Sequence, residues 1–206
     1  MEYRIKSKAI VFYAVAAIAS SSCASRPMDY SKAELAADSS VISAAVAGAS
    51  SIHLQERGDL DSDGDTDVLV VVETKDEAAA NDESRALLIF LRNARGRLDM
   101  AAKSPKAILC RTCGGAMGDP LQGIGAFQGG FVLRFEGGSR ELWQRHYRFI
   151  YSKDARTWVL DAVNDKMLDR IGGDFKEEHA TGPGLKAVPI EQFDAKEFQE
   201  DTILDR

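Results

Sequence analysis

The sequence lacks the motifs that mark common hydrolases and nucleotide-binding proteins. It contains no G-x-S-x-G, no H-E-x-x-H and no G-x-x-x-x-G-K-[ST]. Its three histidines, His53, His146 and His179, stand far apart, so their spacing suggests neither a general base nor a paired metal ligand. These absences disfavour an enzyme. The 32 acidic residues still leave a glycosidase-type carboxylate pair open.

An apolar run long enough to cross a membrane is also missing. The apolar stretch near the N-terminus, Ala9–Ala19, has 11 residues, whereas a spanning helix needs about 20. The basic residues Arg4, Lys6 and Lys8 precede it, which is the arrangement of a secretory signal peptide. We therefore predict an export signal over residues 1–24 and a location in the periplasm.

The end of this signal has two interpretations. Ser20–Cys23 resembles a bacterial lipobox, in which Cys23 would be lipidated and become the mature N-terminus. That resemblance implies an anchor in the outer membrane. Ordinary signal-peptidase cleavage after Ala24 is the alternative, because Ser22 and Ala24 are both small.

The remaining chain is long enough for one domain with a sizeable core. We predict a tether over residues 25–32, a single domain over residues 33–200 and a frayed tail over residues 201–206. Removing the residues before Cys23 leaves 23 basic and 31 acidic side chains, a net charge of −8. This acidic balance disfavours nucleic acid as a partner, and the membrane except through the lipid. We expect the partner to be another envelope or secreted protein.

Cysteine is scarce. Export removes or lipidates Cys23, which leaves Cys110 and Cys113 as a pair. Exported proteins commonly join such a pair, so we predict a structural disulfide that staples the glycine-rich loop around it. A zinc site would need two further ligands. A thioredoxin-like redox site would need the pair at the start of a helix, which Gly114 and Gly115 oppose.

Aspartate, in contrast, is concentrated in one stretch, Gly58–Glu73, which reads GDLDSDGDTDVLVVVE. Carboxylates at alternate positions repel one another, and the spacing D-x-D-x-D-G-x-x-D suits Ca²⁺, which takes about six to eight oxygens. We predict side-chain ligands from Asp59, Asp61 and Asp63. Asp65 would supply its backbone carbonyl, and Asp67 would close the shell directly or through water.

An EF-hand does not explain this stretch. Its twelfth position should be a bidentate Glu, and here that position is Val70. The run Val68–Val72 is mostly β-branched and predicts a buried strand after the loop. A calcium loop leading into a strand resembles the aspartate-rich turns of FG-GAP and VCBS repeats in integrin-like β-propellers. That resemblance implies a calcium-stabilised β fold. A solvated acidic turn without metal is the alternative.

Apolar alternation predicts further strands. Phe131–Glu136 and Trp143–Tyr151 alternate, Arg85–Arg92 is strongly apolar, and Thr157–Val163 follows a hairpin loop. The Ala-rich segment Glu34–Ala49 predicts one or two short helices. Strands that succeed one another without helices between them indicate a mainly β fold. We predict an antiparallel meander resembling part of a β-propeller, with a short N-terminal helical segment.

These features predict a non-enzymatic, calcium-binding bacterial envelope protein that acts as a binding module. Its organisation is similar in outline to periplasmic immunity lipoproteins, which carry one calcium loop on a propeller-like fold and block cell-wall lytic toxins. That resemblance implies an inhibitor of a peptidoglycan hydrolase. The alternatives are an envelope glycan hydrolase and a thiol–disulfide redox protein that uses Cys110 and Cys113.

Overall fold

The apolar runs of this chain are rich in β-branched and aromatic residues, which favour strands. The fold is known from a computed structural model, which describes residues 32–47, 49–74, 84–182, 185 and 188–200. In these residues the chain forms two α-helices and nine strands. In chain order they are α1 (Lys32–Ala45), β1 (Ala49–Gly58), β2 (Asp67–Thr74), β3 (Arg85–Arg92), β4 (Leu98–Ile108), β5 (Leu121–Phe127), β6 (Gly130–Gly138), β7 (Glu141–Ser152), β8 (Thr157–Asp169), β9 (Phe175–Thr181) and α2 (Ala195–Glu200).

The strands form two antiparallel sheets in which neighbours in sequence are neighbours in space. Sheet 1 has the order β1-β2-β3-β4, and sheet 2 has the order β5-β6-β7-β8-β9. Each sheet is a meander, because every strand pairs with the next one along the chain. The prediction of a mainly β, antiparallel fold with a short N-terminal helix is therefore confirmed.

The central strands of sheet 1, β2 and β3, are buried on both faces. The even-numbered side chains of β2, such as Val68 and Val70, pack with Ile42 of α1. The odd-numbered side chains, such as Leu69 and Val71, belong to the larger core that also contains the inner face of sheet 2. The unbroken apolar run after the acidic stretch is thus a strand buried on both sides, as its composition indicates.

Sheet 2 buries one face and exposes the other. The register places Phe131 opposite Phe149 and Leu133 opposite Tyr147, and all four are buried. The rings of Phe131 and Phe149 stack with centroids 5.2 Å apart. Arg134, next to Leu133 in sequence, lies on the exposed face. The alternation predicted for β6 and β7 is therefore confirmed.

The sequence pattern does not predict β4, β5 or β9. Pro105 in β4 cannot donate a ladder hydrogen bond, and it is tolerated because β4 is an edge strand of sheet 1. In β5, a Cβ at Gly125 would lie 2.7 Å from the guanidinium nitrogens of Arg134, so a glycine lets that side chain cross the strand. Most of β9 is exposed, so it carries little apolar alternation.

Several sequence predictions concern residues that the structure does not describe. The export signal over residues 1–24, with Cys23, lies outside the described residues, as does the tail over residues 201–206. The same holds for the tether except for its last residue, Lys32, where α1 begins. Neither of the two described helices combines the length and the apolar character needed to cross a membrane.

A buried carboxylate holds α1 on sheet 1. Asp38 is 2% exposed and accepts hydrogen bonds from Arg57 at 2.7 Å and from Arg92 at 2.9 Å. Burial raises the pKa of Asp38, but the hydrogen bonds from Arg92 and Arg57 outweigh burial and lower it overall. Together with Ile42, these two ion pairs fix the helix against the sheet.

Asp38→Asn keeps the shape of the side chain and removes its charge. We expect the free energy of unfolding at pH 7 to fall by about 1.5–3 kcal/mol, the size of a hydrogen bond to a charged group. Because the folded-state pKa lies below the ordinary value of 3.8, the stabilisation is present above that pH and is lost as pH falls through the folded-state pKa. Urea unfolding measures both effects.

The exposed Asp154, in the turn between β7 and β8, provides the control. Asp154→Asn should leave stability nearly unchanged at every pH. If Asp38→Asn behaves like this control at pH 7, the ion pairs do not hold the helix.

Candidate metal centre

The acidic loop, residues 59–66, joins β1 to β2 and contacts sheet 2. The carbonyl of Asp59 accepts a hydrogen bond from the N–H of Gly129, in the turn between β5 and β6, at 2.8 Å. The carbonyl of Leu60 accepts one from Trp158 Nε1 of β8, also at 2.8 Å. Leu60 itself is completely buried in the core shared by the sheets. The loop therefore ties sheet 1 to sheet 2.

Hydrogen bonds within the loop give it a tight, regular shape. The Asp59 carboxylate accepts from the N–H groups of Asp63 at 3.1 Å and Gly64 at 3.2 Å. Asp61 accepts from Asp63 N–H at 3.2 Å, and Asp63 accepts from Asp65 N–H at 2.8 Å. Gly64 has φ +93°, a left-handed conformation that glycine adopts readily. Asp59, Asp61 and Asp63 fold the chain because each carboxylate accepts from a backbone N–H two or more residues ahead.

Three of the five predicted ligands come together. Asp59, Asp61 and Asp67 each place a carboxylate oxygen within 4.8 Å of the other two. Two oxygens bound to one Ca²⁺ at about 2.4 Å can lie at most about 4.8 Å apart, so each pair in this group meets the distance limit for a shared ion. The carboxylates of Asp63 and Asp65 are exposed and lie outside this group. For Asp65 the predicted ligand is the backbone carbonyl, and it stays a prediction.

Asp67 is the buried member of the group. It is 0% exposed and begins β2. Its Oδ2 accepts from Leu60 N–H and its Oδ1 from Arg92 N–H, both at 2.8 Å. Burial raises the pKa of Asp67 to about 7; the two backbone hydrogen bonds oppose this rise, and the Asp61 and Asp63 carboxylates add to it. Burial likewise raises the pKa of Asp61. In the absence of a cation, the folded chain therefore disfavours the ionised form of this cluster.

The turn between β5 and β6 of sheet 2 lies close to the acidic loop. A Cβ at Gly129 would lie 2.6 Å from Ser62 Oγ, so glycine lets the turn between β5 and β6 reach the loop. The Gly129 carbonyl in turn accepts from Tyr151 N–H at 2.8 Å. Burial raises the pKa of the Tyr151 hydroxyl, and the nearby Asp61 carboxylate contributes to the rise. The candidate metal centre thus belongs to sheet 1 and is supported by sheet 2.

Three residues outside the aspartate pattern position the site: Leu60, Arg92 and Trp158. An apolar leucine within an acidic stretch is a sequence signal for an inward-facing position. Arg92 and Trp158 carry no such local signal, because their contacts with Asp67 and Leu60 join residues 25 and 98 positions apart.

The predicted disulfide pair lies away from this loop in sequence. Cys110 and Cys113 are at disulfide-bonding distance in the turn after β4, and the Cys113 N–H donates to the Cys110 carbonyl at 3.1 Å. A short 3₁₀ helix, Gly115–Met117, follows. A thioredoxin-like site instead places its cysteines at the start of an α-helix. This arrangement fits a structural disulfide better than a thioredoxin-like redox site.

A second charged cluster lies at the opposite end of β2. Arg85 is 1% exposed and donates to both oxygens of Asp119, at 2.7 and 2.5 Å. Glu73 lies 3.8 Å from the same guanidinium and 3.3 Å from His53 Nδ1. Burial raises the pKa of Asp119, but the hydrogen bonds from Arg85 lower it overall. This cluster links the start of β3 to the segment that precedes β5.

No family model, curated protein or solved structure matches this chain. The resemblances to FG-GAP and VCBS repeats and to immunity lipoproteins therefore stay predictions.

The pKa of Asp67 predicts how the calcium-free protein responds to pH. Its folded-state value of about 7 lies above the ordinary value of 3.8. The neutral acid therefore stabilises the fold below pH 3.8, and this contribution is lost as pH rises to about 7. We expect the melting temperature of chelator-treated wild type to fall over this range relative to Asp67→Asn, which does not titrate.

Asp65→Asn is the matched control, because Asp65 is an exposed aspartate of the same loop. It should retain the wild-type slope. Parallel profiles for wild type and Asp67→Asn would contradict the raised pKa.

Proposed function

We propose that this chain is a non-enzymatic, calcium-stabilised binding protein of the bacterial cell envelope. Asp59, Asp61 and Asp67 would hold the ion. One observation carries the proposal: these three carboxylates converge where the loop bonds both sheets. A bound cation would neutralise the charge that burial makes unfavourable on Asp67, and it would let the loop hold the sheets together.

The ligand chemistry favours Ca²⁺. All three groups are carboxylates, and hard oxygen ligands suit Ca²⁺ and Mg²⁺. Mg²⁺ demands near-ideal octahedral geometry and keeps several waters, whereas Ca²⁺ accepts about six to eight oxygens in irregular loops. Backbone carbonyls of the loop and water would supply the remaining ligands. The predicted route of the protein to the periplasm also places it where calcium modules of modest affinity work.

The geometry supports a structural ion more than a catalytic one. The oxygens of Asp59 and Asp67 are already bonded to backbone N–H groups of the fold. A catalytic metal keeps an open position for substrate and a nearby acid or base. Within the described residues, the acidic group contains no histidine.

The more specific form of the proposal is an inhibitor of a peptidoglycan hydrolase. It rests on the predicted export signal and on the resemblance to immunity lipoproteins. Charge is consistent with it: the exported chain carries a net charge of −8. An enzyme that works on an anionic cell wall gains from a basic surface, and opposite charges speed association.

Millimolar Ca²⁺ should raise the melting temperature above that of chelator-treated protein. At ten times Kd, binding to the folded state alone adds about 1.4 kcal/mol, which corresponds to about 3–6 °C for a domain of this size. Mg²⁺ should raise it less. Asp61→Ala should abolish the rise, and Asp65→Ala, which removes an exposed carboxylate of the same loop, should keep it. Identical melting curves with and without Ca²⁺, together with no heat of binding, would refute the site.

The inhibitor hypothesis is tested on a cell-wall suspension cleared by a purified muramidase. The calcium-loaded protein should slow the loss of turbidity at about equimolar ratio, and Asp61→Ala in chelator should do so less. Clearing by the protein alone would instead support the glycan hydrolase alternative. No effect in either assay would remove muramidases as the target class while leaving the calcium site untouched.

A further inference from the structure

The outer edge of β9 presents backbone groups that can pair with a further strand. β9 is the last strand of sheet 2, and within the described residues it pairs only with β8. The N–H of Asp169 donates to the Asp174 carbonyl at 2.9 Å, where the ladder of β8 and β9 begins. Because bonded and non-bonded pairs alternate in an antiparallel ladder, the backbone groups of Phe175, Glu177 and His179 point away from β8.

The other three edge strands carry features that hinder such pairing. The register of β1 against β2 shifts twice, and so does that of β4 against β3. β4 also contains Pro105, and the register of β5 against β6 shifts once. β9 instead follows β8 over seven residues without a shift. Bulges and prolines protect natural edges from association, so β9 is the edge best suited to accept another strand.

Apolar surface lies beside this edge. Phe175 at the start of β9 is 60% exposed, and Ile171 in the preceding turn is 77% exposed. The register places Leu168 opposite Phe175, and Leu142 opposite Leu168. A row of apolar side chains therefore reaches the edge of the sheet, where a paired strand would cover its last member.

The charges of β9 fit a second copy of the same strand. When two copies pair antiparallel about Glu177, Lys176 of each copy lies opposite Glu178 of the other. These are non-bonded positions of the ladder, where opposite side chains are closest. The two Glu177 side chains meet at the symmetry axis, and each lies 3.0 Å from Lys166 Nζ of its own copy, which offsets their repulsion.

We propose that this chain forms a symmetric dimer through β9. The outward backbone groups of the two strands exchange hydrogen bonds and join the two copies of sheet 2 into one sheet. Phe175 of each copy packs against His179 of the other. One pair of strands buries little surface, so the dimer is weak and reversible. It goes beyond the proposed function and uses no residue of the calcium loop.

Sedimentation velocity over a range of protein concentrations measures the dimer, and we expect the wild type to form it reversibly. Lys176→Glu and Glu178→Lys each place like charges opposite one another at two positions. Each should raise the dissociation constant of the dimer about tenfold or more. An equimolar mixture of the two variants should dimerise like the wild type, because opposite charges then face each other again.

Lys153→Glu and Asp154→Lys are the matched controls. They change the net charge by the same amounts, in the exposed turn between β7 and β8. Each should dimerise like the wild type, alone or mixed with the other, because neither residue lies on β9.

His179→Pro removes an outward N–H, a loss that an edge strand tolerates. It should abolish the dimer and leave the melting temperature nearly unchanged. If this variant folds poorly, the mixture of Lys176→Glu and Glu178→Lys still decides the question. A wild type that stays monomeric at every concentration, or a mixture no more dimeric than its two components, would overturn the proposal.

Discussion

The Asp67 carboxylate is the contact on which the acidic loop and its bonds to sheet 2 depend. One oxygen accepts from Leu60 N–H and the other from Arg92 N–H, so one side chain closes the acidic loop and ties it to the end of β3. Leu60 links the loop to sheet 2, because its carbonyl accepts a hydrogen bond from Trp158 Nε1. A buried ionised group destabilises the fold unless an opposite charge or hydrogen bonds offset its loss of hydration. A cation shared with Asp59 and Asp61 would provide that compensation.

Calcium at this position would act on the whole domain. The loop bonds sheet 2 through Gly129 and Trp158, and it leads directly into β2, which is buried on both faces. Opening the loop should therefore loosen the contact between the sheets as well as the surface. If the chain is exported as its N-terminus predicts, binding Ca²⁺ outside the cytoplasm would complete a fold that remains less stable before export.

The sequence predicts the parts of this molecule in which local chemistry and tertiary packing agree. The apolar run of β2 and the alternation of β6 and β7 indicate strands, and they are strands. In β4 and β5, Pro105 and the glycines at 123 and 125 oppose a strand locally, and pairing with neighbouring strands overrides them. No local pattern shows that Arg85 binds Asp119, because 34 positions separate them.

The candidate metal centre also has some features that the sequence predicts and others that depend on tertiary packing. Spacing alone predicts a loop of inward-turned aspartates, and the carboxylates of Asp59, Asp61 and Asp63 do bond the backbone close ahead of them. The burial of Asp67 depends instead on strand pairing, and so does its hydrogen bond from Arg92. Asp63 is equivalent to Asp59 and Asp61 in the repeat, yet it is exposed and lies outside their group. Only the folded structure shows that Asp63 differs from Asp59 and Asp61.

A crystal structure at saturating Ca²⁺ tests the calcium site most directly. We predict one ion at about 2.3–2.6 Å from an oxygen of each of Asp59, Asp61 and Asp67, with both backbone hydrogen bonds of Asp67 kept. Empty electron density between the three carboxylates, or an ion bound elsewhere while the loop stays closed, would contradict the role assigned to calcium.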